Sequence, residues 1–319
     1  MILDVLKALA DPCRLRLVSV LLRGEFTVQE LTTILEMGQS RISRHLKILT
    51  EAGVLSVKRQ GTWSYYRAGG ESPFFAAIRA AVESGIQTLP EYAEDMSAVA
   101  AVLEERRRRS QQFFDRHARQ WDDLARTLLP TPEYQKQLLA LVPKGGSIVE
   151  IGLGTGGLLP ALADKAGKVI GVDHSPAMLD EARRRLELSG LDSIDLRLGE
   201  MSHLPLSDSS VDSAVLNMVL HHAADPQAVL AEISRVLING GTLLLADLAR
   251  HERELAREQL ADQWLGFEQE ELRGWLIAAG FDTVIVEQVA PGQEQETVLL
   301  VQARTTTKEN NHVTRLHRS

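Results

Sequence analysis

The sequence predicts two domains of different class: an α+β helix-turn-helix domain, followed by an α/β domain built on a mostly parallel sheet. A chain of 319 residues with 44% hydrophobic and 24% charged residues is long enough for two cores. Short helical patterns and a hairpin pattern fill residues 1–70, whereas from residue 147 short apolar runs alternate with amphipathic helical stretches. Residues 1–70 carry a net charge of +4 within a chain of net charge -8. This asymmetry predicts a basic module that meets phosphates, joined to an acidic domain with another role.

Changes in periodicity divide the chain into four predicted segments. These are a first domain over 1–70, a helical connection over 71–130, a second domain over 131–304 and a polar, disordered tail over 305–319. Cys13 is the single cysteine, which excludes an intramolecular disulfide and a cysteine-based metal cluster within one subunit. We find neither a signal-peptide pattern nor a run of about 18 apolar residues, so we expect a cytoplasmic protein without a membrane partner.

The first domain contains a helix-turn-helix pattern. A capping box at Thr27 to Glu30 starts one helix, and residues 39–49 form the next, in which Ile42, Leu46 and Leu49 share one face. On periodicity alone, an ordinary amphipathic surface helix explains residues 39–49 equally well. The side chains around the rest of this helix can bond phosphates and base edges in a major groove: Gln39, Ser40, Arg41, Ser43, Arg44, His45 and Lys47.

A predicted β-hairpin after this helix favours DNA binding over the surface-helix interpretation. Residues 54–58 form one strand, residues 59–62 turn the chain and residues 63–67 return, so that Arg59 and Arg67 are candidates for contact with the DNA backbone. With Ser43-Arg44-His45-Leu46, Leu49, Gly53 and Leu55, the first 70 residues resemble ArsR-type winged-helix regulators. The hairpin is the wing of that fold. The resemblance implies a homodimer, paired through the first helix and the helix after the wing, on palindromic double-stranded operator DNA.

Metal sensing is not expected from this resemblance. Metal-sensing members of the family use cysteines at the start of the helix before the recognition helix, where this chain has Thr27 and Gln29. Others use His and acidic clusters in the last helix, but this chain has no histidine between His45 and His117. Because oxygen and amide groups do not replace thiolates for a soft ion, we expect no bound metal and a signal that enters elsewhere.

The second domain is predicted to contain a seven-stranded sheet. Five apolar runs alternate with helical stretches, which indicates parallel strands with helices on both faces. Two more runs follow with only a turn around Pro291-Gly292 between them, which indicates an antiparallel hairpin at the sheet edge. The predicted strands are Ile148–Ile151, Val169–Val172, Ile194–Leu198, Val211–Leu216, Thr242–Ala246, Thr283–Val289 and Thr297–Ala303.

A glycine-rich turn follows the first of these strands. In Glu150-Ile151-Gly152-Leu153-Gly154-Thr155-Gly156, missing side chains let a ligand approach the backbone where strand gives way to helix. Asp173 ends the next strand, where a carboxylate can accept hydrogen bonds from both hydroxyls of a ribose. A dinucleotide-binding dehydrogenase shares both features. The antiparallel hairpin and the position of Glu150 favour the methyltransferase form instead.

Residues 147–303 resemble class I S-adenosylmethionine-dependent methyltransferases, which have a Rossmann-like fold. The resemblance implies that Glu150 and the glycines frame the methionine part of S-adenosylmethionine or S-adenosylhomocysteine and that Asp173 holds the ribose. Residues after the second and third strands then flank the adenine, and residues after the fourth strand face the ligand. The implied cofactor-binding residues are Glu150, Gly152, Gly154, Gly156, Asp173, His174, Met178, Glu200, Met201 and Asn217.

Three further patterns permit more than one interpretation. Phe113, Phe114 and Trp121 at helical spacing are either plain core or part of a lid helix over the pocket. Residues 106–109 form a cationic run that is either a solvated helix face or a phosphate or interdomain contact. A metal pair at residues 221–222 is disfavoured, because adjacent side chains at a strand end point apart.

Methyl transfer from a sulfonium is an in-line displacement that needs a base only where the acceptor must lose a proton. The weak candidates for a catalytic base are His221, His222, Asp247 and His251. Arsenite methyltransferases bind their substrate through several cysteines, so one cysteine excludes that chemistry.

Two hypotheses on function remain. In the preferred one the chain is a DNA-binding regulator, a repressor, whose methyltransferase-fold domain senses the two S-adenosyl compounds, in resemblance to S-adenosylhomocysteine-responsive regulators. In the other, it is an active small-molecule methyltransferase that regulates its own gene.

Overall fold

A computed structural model describes residues 2–128, 133–191, 193–289 and 297–306. These residues form two compact units, one of residues up to 110 together with 251–265, the other of residues 111–250 together with those from 266 on. Three parts of the predicted organisation lie outside the described residues: the end of the helical connection with Pro130 and Pro132, the Pro291-Gly292 turn, and the tail beyond Thr306. Within the described ranges, no helix combines the length and the apolar character that crossing a membrane requires.

The first unit begins with a helix-turn-helix and a three-stranded antiparallel sheet of order β1-β3-β2. The predicted capping box is present, since Thr27 and Glu30 bond each other reciprocally. Asp11 caps α2, because its Oδ1 accepts a hydrogen bond from the Arg14 backbone N–H at 3.0 Å. The short strand β1 was not predicted. The elements are α1 (Ile2–Leu9), α2 (Pro12–Leu21), β1 (Phe26–Thr27), α3 (Val28–Leu35), α4 (Gln39–Glu51), β2 (Leu55–Gln60), β3 (Trp63–Ala68), α5 (Pro73–Ile86) and α6 (Tyr92–His117).

The second unit contains the predicted seven-stranded sheet, of order β6-β5-β4-β7-β8-β10-β9. Strands β4 to β8 pair in parallel, and β10 runs antiparallel to both β8 and β9, so the predicted fold class is confirmed. Strand β10 extends to Thr305, the first residue of the predicted tail. The remaining elements are α7 (Trp121–Leu128), α8 (Glu133–Leu141), β4 (Ser147–Ile151), α9 (Leu159–Ala163), β5 (Lys168–Asp173), α10 (Pro176–Ser189), β6 (Asp195–Leu198), β7 (Val211–Asn217), α11 (Pro226–Val236), β8 (Leu237–Leu248), α12 (Leu255–Gln259), α13 (Gln269–Ala278), β9 (Phe281–Val289) and β10 (Val298–Thr305).

Helix α6 belongs to both units, because the boundary at residues 110 and 111 falls within it. Its first part is attached to the helix-turn-helix by two bidentate ion pairs. Arg16 donates to both carboxylate oxygens of Asp95, at 2.8 and 2.6 Å. Arg106 donates to both oxygens of Glu30, each at 2.8 Å, so it joins α6 to the capping box that starts α3. Within the cationic run, Arg106 is therefore a buried structural contact, whereas Arg107, Arg108 and Arg109 pair with glutamates of their own helix.

Replacing Arg106 with alanine is expected to lower the free energy of unfolding by about 2 kcal/mol, because the Glu30 carboxylate loses its buried partner. Arg108→Ala is the matched control. That side chain is 57% exposed, so its loss changes stability by less than about 0.5 kcal/mol. Urea denaturation followed by circular dichroism measures both variants, and equal effects would contradict the structural role assigned to Arg106.

Candidate functional site

A cavity of about 330 Å³ opens in the second unit, lined by residues from the carboxyl ends of β4, β5 and β7. This is the edge at which open α/β sheets bind their ligands. Eight of the predicted cofactor-binding residues line it: Glu150, Gly152, Gly154, Asp173, His174, Met178, Met201 and Asn217. Gly156 lies behind the lining, where its N–H donates to Leu153 O at 2.9 Å, and Glu200 forms an isolated bridge with His203.

The turn after β4 requires glycine at two points of the cavity wall. Gly152 and Gly154 have φ of +67° and +56°, a left-handed conformation that other residues adopt only with strain. A Cβ atom built on Gly152 would lie 2.2 Å from a methyl carbon of Val219. The turn therefore leaves its backbone open to the cavity.

Two carboxyl groups are buried in the cavity wall. Asp173, 5% exposed, accepts hydrogen bonds from the backbone N–H groups of Gly154 and Ser175, each at 2.9 Å. Glu150 is 3% exposed, and its Oε2 has no hydrogen-bond partner among the described residues. Burial, with a smaller contribution from the charge of Asp173, raises the pKa of Glu150 to about 8. Burial also raises the pKa of Asp173. The cavity therefore favours a ligand that brings positive charge and hydrogen-bond donors.

Further buried polar atoms of the cavity lack partners among the described residues, namely His174 Nε2 and Asn217 Oδ1. Buried polar groups without partners are costly unless a ligand or water bonds them. Together with the two carboxyl groups, they fit an amino-acid ammonium group, a ribose diol and the polar edge of a purine. The residues present are thus chemically suited to an S-adenosyl compound.

The segment around Phe114 forms one side of the cavity. The Phe114 ring meets those of Trp121, His174 and His222 edge-on, at centroid distances of 5.1, 5.9 and 4.9 Å. Asp122 Oδ1 accepts a hydrogen bond from the Thr155 hydroxyl at 2.6 Å. Phe114 and Trp121 therefore pack against neighbouring residues and also line the cavity. A lid role for this segment stays a prediction.

The candidate bases are placed differently from one another. His222 lines the cavity, whereas His221 is fully buried beside it, and its Nδ1 lies 2.6 Å from Asp247 Oδ1. Asp247 Oδ2 also accepts the N–H groups of Leu220 and His221, so it orients this short turn. His251 belongs to the first unit, where its Nδ1 accepts the Arg253 N–H at 3.2 Å.

Tyr134, Gln135 and Val219 line the cavity but were not predicted. Tyr134 and Gln135 come from α8, which precedes the first strand and carries no motif. Burial raises the pKa of Tyr134 to about 12, so this hydroxyl stays protonated at neutral pH. An aromatic residue next to an amide on a short amphipathic helix was the only available signal.

The predicted DNA-contacting face of α4 is exposed. Ile42, Leu46 and Leu49 are at most 1% exposed, as predicted for the buried face. The exposed side chains on the other faces are Gln39, Ser40, Arg41, Ser43, Arg44 and Lys47, and His45 is half-buried.

Several of the predicted DNA contacts have partners within the protein, among them Arg41, Lys47 and Arg67. Arg41 donates to Cys13 Sγ at 2.8 Å, in a place where Asp11 and His45 also converge. Arg67 is half-buried and pairs with Glu25 at 3.8 Å, whereas Arg59 is exposed next to the hairpin turn.

Comparison with known families identifies both domains. The bacterial regulatory protein arsR family matches residues 11–57, and the methyltransferase domain family matches residues 149–245. The chain therefore joins an ArsR-family helix-turn-helix domain to a domain of the class I methyltransferase fold, and both predicted resemblances are confirmed.

Individual relatives match part of the chain. The arsenic resistance transcriptional regulator ArsR1 of Pseudomonas putida is 50% identical over 70 residues, 22% of this chain and 55% of that protein. An arsenite methyltransferase of Halobacterium salinarum is 30% identical over 168 residues, 50% of this chain and 42% of that protein. This chain thus spans about half the length of each.

Among solved structures, a Haloferax volcanii methyltransferase, in complex with the Trm112 methyltransferase activator, superposes with a TM-score of 0.55 at 24% identity. It covers 62% of this chain and 98% of its own. At this identity the similarity shows the fold alone.

Glu150→Gln is expected to stabilise the ligand-free protein increasingly as the pH rises. The folded state keeps this carboxyl protonated up to about pH 8, whereas the unfolded chain releases the proton near pH 4.5, so wild-type stability falls between these values. The variant's gain in free energy of unfolding should be small near pH 5 and should grow by up to about 1.4 kcal/mol per pH unit until about pH 8. Glu287→Gln, at an exposed position on β9, controls for the loss of one charge. A gain independent of pH would refute the buried-acid assignment.

Proposed function

We propose that the protein is a transcriptional repressor, acting in the cytoplasm, whose methyltransferase-fold domain binds S-adenosylmethionine or S-adenosylhomocysteine and thereby controls binding to double-stranded operator DNA. The observation that carries this proposal is the cavity with the buried Glu150 and Asp173, in one chain with an exposed cationic recognition helix. The sulfonium of S-adenosylmethionine carries a positive charge that the thioether of S-adenosylhomocysteine lacks. Two buried carboxyl groups therefore provide a basis for distinguishing the two compounds.

Helix α6 supplies a route between ligand and recognition helix. Asp95 and Arg106, in its first part, anchor it to α2 and α3 of the helix-turn-helix. Phe114, in its last part, lines the cavity. A ligand that binds better when Phe114 is in one position increases the population of the conformation of α6 with that position. A change in α6 can then alter the position of the recognition helix α4 through α3.

The dimer expected of an ArsR-type domain is part of the proposal. Helix α1 presents Ile2, Leu3 and Leu6 with exposures of 55, 65 and 47%. Adjacent large apolar side chains on one helix favour burial against another protein surface. We assign that surface to a second copy of the same helix, which gives the twofold symmetry that a palindromic operator needs.

Active methyl transfer to a small molecule is the second candidate function, and His222 favours it. Its side chain lines the cavity next to the His221 and Asp247 pair, and a histidine so placed is able to take a proton from an acceptor. Arsenite is not the proposed acceptor, because the single cysteine, Cys13, lies in the first unit.

DNA affinity measured with each ligand tests the regulatory proposal. The full-length protein selects a duplex from a random library, and its affinity for that duplex is titrated with S-adenosylmethionine, S-adenosylhomocysteine and neither. We expect at least about a fivefold difference between the two ligands, and Asp173→Ala should abolish the response while retaining basal DNA affinity. Asp282→Ala, at an exposed position on β9, is the control. Equal affinity under all three conditions would end the sensor proposal.

Transfer of tritium from methyl-labelled S-adenosylmethionine to a small-molecule cell extract separates the two functions. A pure sensor gives no transfer above a boiled-protein control. Transfer that His222→Ala lowers at least about tenfold would establish the enzyme instead.

A further inference from the structure

Residues 251–265, here called the wing strap, lie between β8 and α13 in sequence but pack with the first unit. Ala249 and Phe267 form a parallel bridge that closes the base of this excursion within the second unit. The strap contains the short helix α12, and nothing in its sequence marks it as different from the surrounding α/β pattern. The strap contacts the β2–β3 hairpin and its turn.

Gln60, near the tip of the hairpin, holds the strap through polar contacts. Its side chain is 1% exposed, and its Oε1 accepts hydrogen bonds from Leu265 N at 3.1 Å and from Arg257 Nη2 at 3.3 Å. Arg257 Nη1 also donates to the Tyr65 hydroxyl at 3.1 Å. Because a buried amide that loses its partners is costly, these contacts indicate a specific docked position.

Trp264 adds an apolar contact to the same hairpin. Its ring is 5.0 Å from that of Tyr65, and the side chain is 2% exposed. Lys58 Nζ lies 5.4 Å from the Trp264 ring centroid, which places a cation of the wing over an aromatic face. The strap therefore engages a lysine on the strand that leads to the wing turn.

Glu254 occupies the turn of the hairpin itself. Its Oε1 accepts a hydrogen bond from the backbone N–H of Thr62 at 2.5 Å. Gly61, with φ of +58°, leaves the space that this carboxylate fills, since a Cβ atom there would overlap Oε1. Backbone N–H groups of this kind donate to phosphate oxygens in protein–DNA complexes. A carboxylate on this N–H supplies a negatively charged oxygen acceptor, as a DNA phosphate would.

We propose that the wing strap is an autoinhibitory element, in which Glu254 holds the anion-binding turn of the wing and must leave before the wing contacts the DNA backbone. The inference rests on the proposed DNA-binding function and adds an internal competitor to it. It also gives the cavity a second covalent route to the DNA-reading unit. Asp247, which orients the turn carrying His222, lies only four residues before the strap begins.

Glu254→Ala tests the competition in the full-length protein without any S-adenosyl ligand. The probe is the library-selected duplex, with affinity measured by fluorescence anisotropy. Removing the Glu254 carboxylate should strengthen DNA binding at least about fivefold. The gain should persist across salt concentrations, because it comes from one freed hydrogen-bond donor and not from long-range electrostatic attraction. Glu252→Ala is the matched control, since Glu252 is an exposed acidic residue of the same strap. Equal gains in both variants, or no gain with Glu254→Ala, would overturn the proposal.

Hydrogen exchange of the wild-type protein gives a second, independent readout. Peptides covering residues 252–257 should exchange faster when the duplex is bound, because the strap has been displaced. Unchanged or slower exchange there would show that the strap supports the wing on DNA rather than inhibiting it. Failure of the DNA-binding function itself looks different, because then neither the wild type nor any variant binds the duplex.

Discussion

Two buried carboxyl groups, Glu150 and Asp173, in the wall of one cavity are the constraint on which the proposed function depends. No lysine or arginine is among the described residues that line the cavity, and the ring nitrogen Nδ1 of His174 lies 3.6 Å from the Asp173 carboxylate. Asp173 is held by two backbone N–H groups, whereas one oxygen of Glu150 is left without a partner among the described residues. A core that binds no ligand seldom contains such groups, because burying a carboxyl group without hydrogen-bond partners is costly. Under the proposed function, the bound ligand supplies the missing hydrogen-bond donors.

Two chain segments connect this cavity to the DNA-reading unit. Helix α6 carries Phe114 in the cavity wall and, within the same helix, the Arg106 side chain that bonds the capping box of α3. The wing strap continues from β8 and places Glu254 on the hairpin turn. Helix α6 contacts the helix-turn-helix, and the strap contacts the β2–β3 hairpin. Under the proposed function, both segments transmit the bound state of the cavity to the DNA-binding domain. A connecting segment couples two sites when it has two positions and a ligand binds better to one of them.

The features of this fold that could be predicted from the sequence are those determined by neighbouring residues. The capping box at Thr27, the buried face of α4 and the glycine turn after Glu150 each follow from a few adjacent residues whose chemistry admits one conformation. Asp173 could be predicted because strand ends of a parallel sheet meet at one edge. The wing strap could not be predicted, because its defining contact joins Thr62 to a residue 192 positions away and no periodicity encodes such pairing. The same limit applies to Arg106, because the run of four arginines does not reveal which of them pairs with the distant Glu30 in a buried contact.

We expect the cavity and the DNA-binding domain to be thermodynamically coupled, and such coupling is reciprocal. Calorimetric titration of S-adenosylhomocysteine into the free protein and into its complex with the selected duplex tests that most directly. The dissociation constants should differ at least about fivefold, by the same factor by which the ligand changes DNA affinity. Two equal dissociation constants, both with a clear heat of binding, would show that the cavity binds the ligand without any effect on DNA binding.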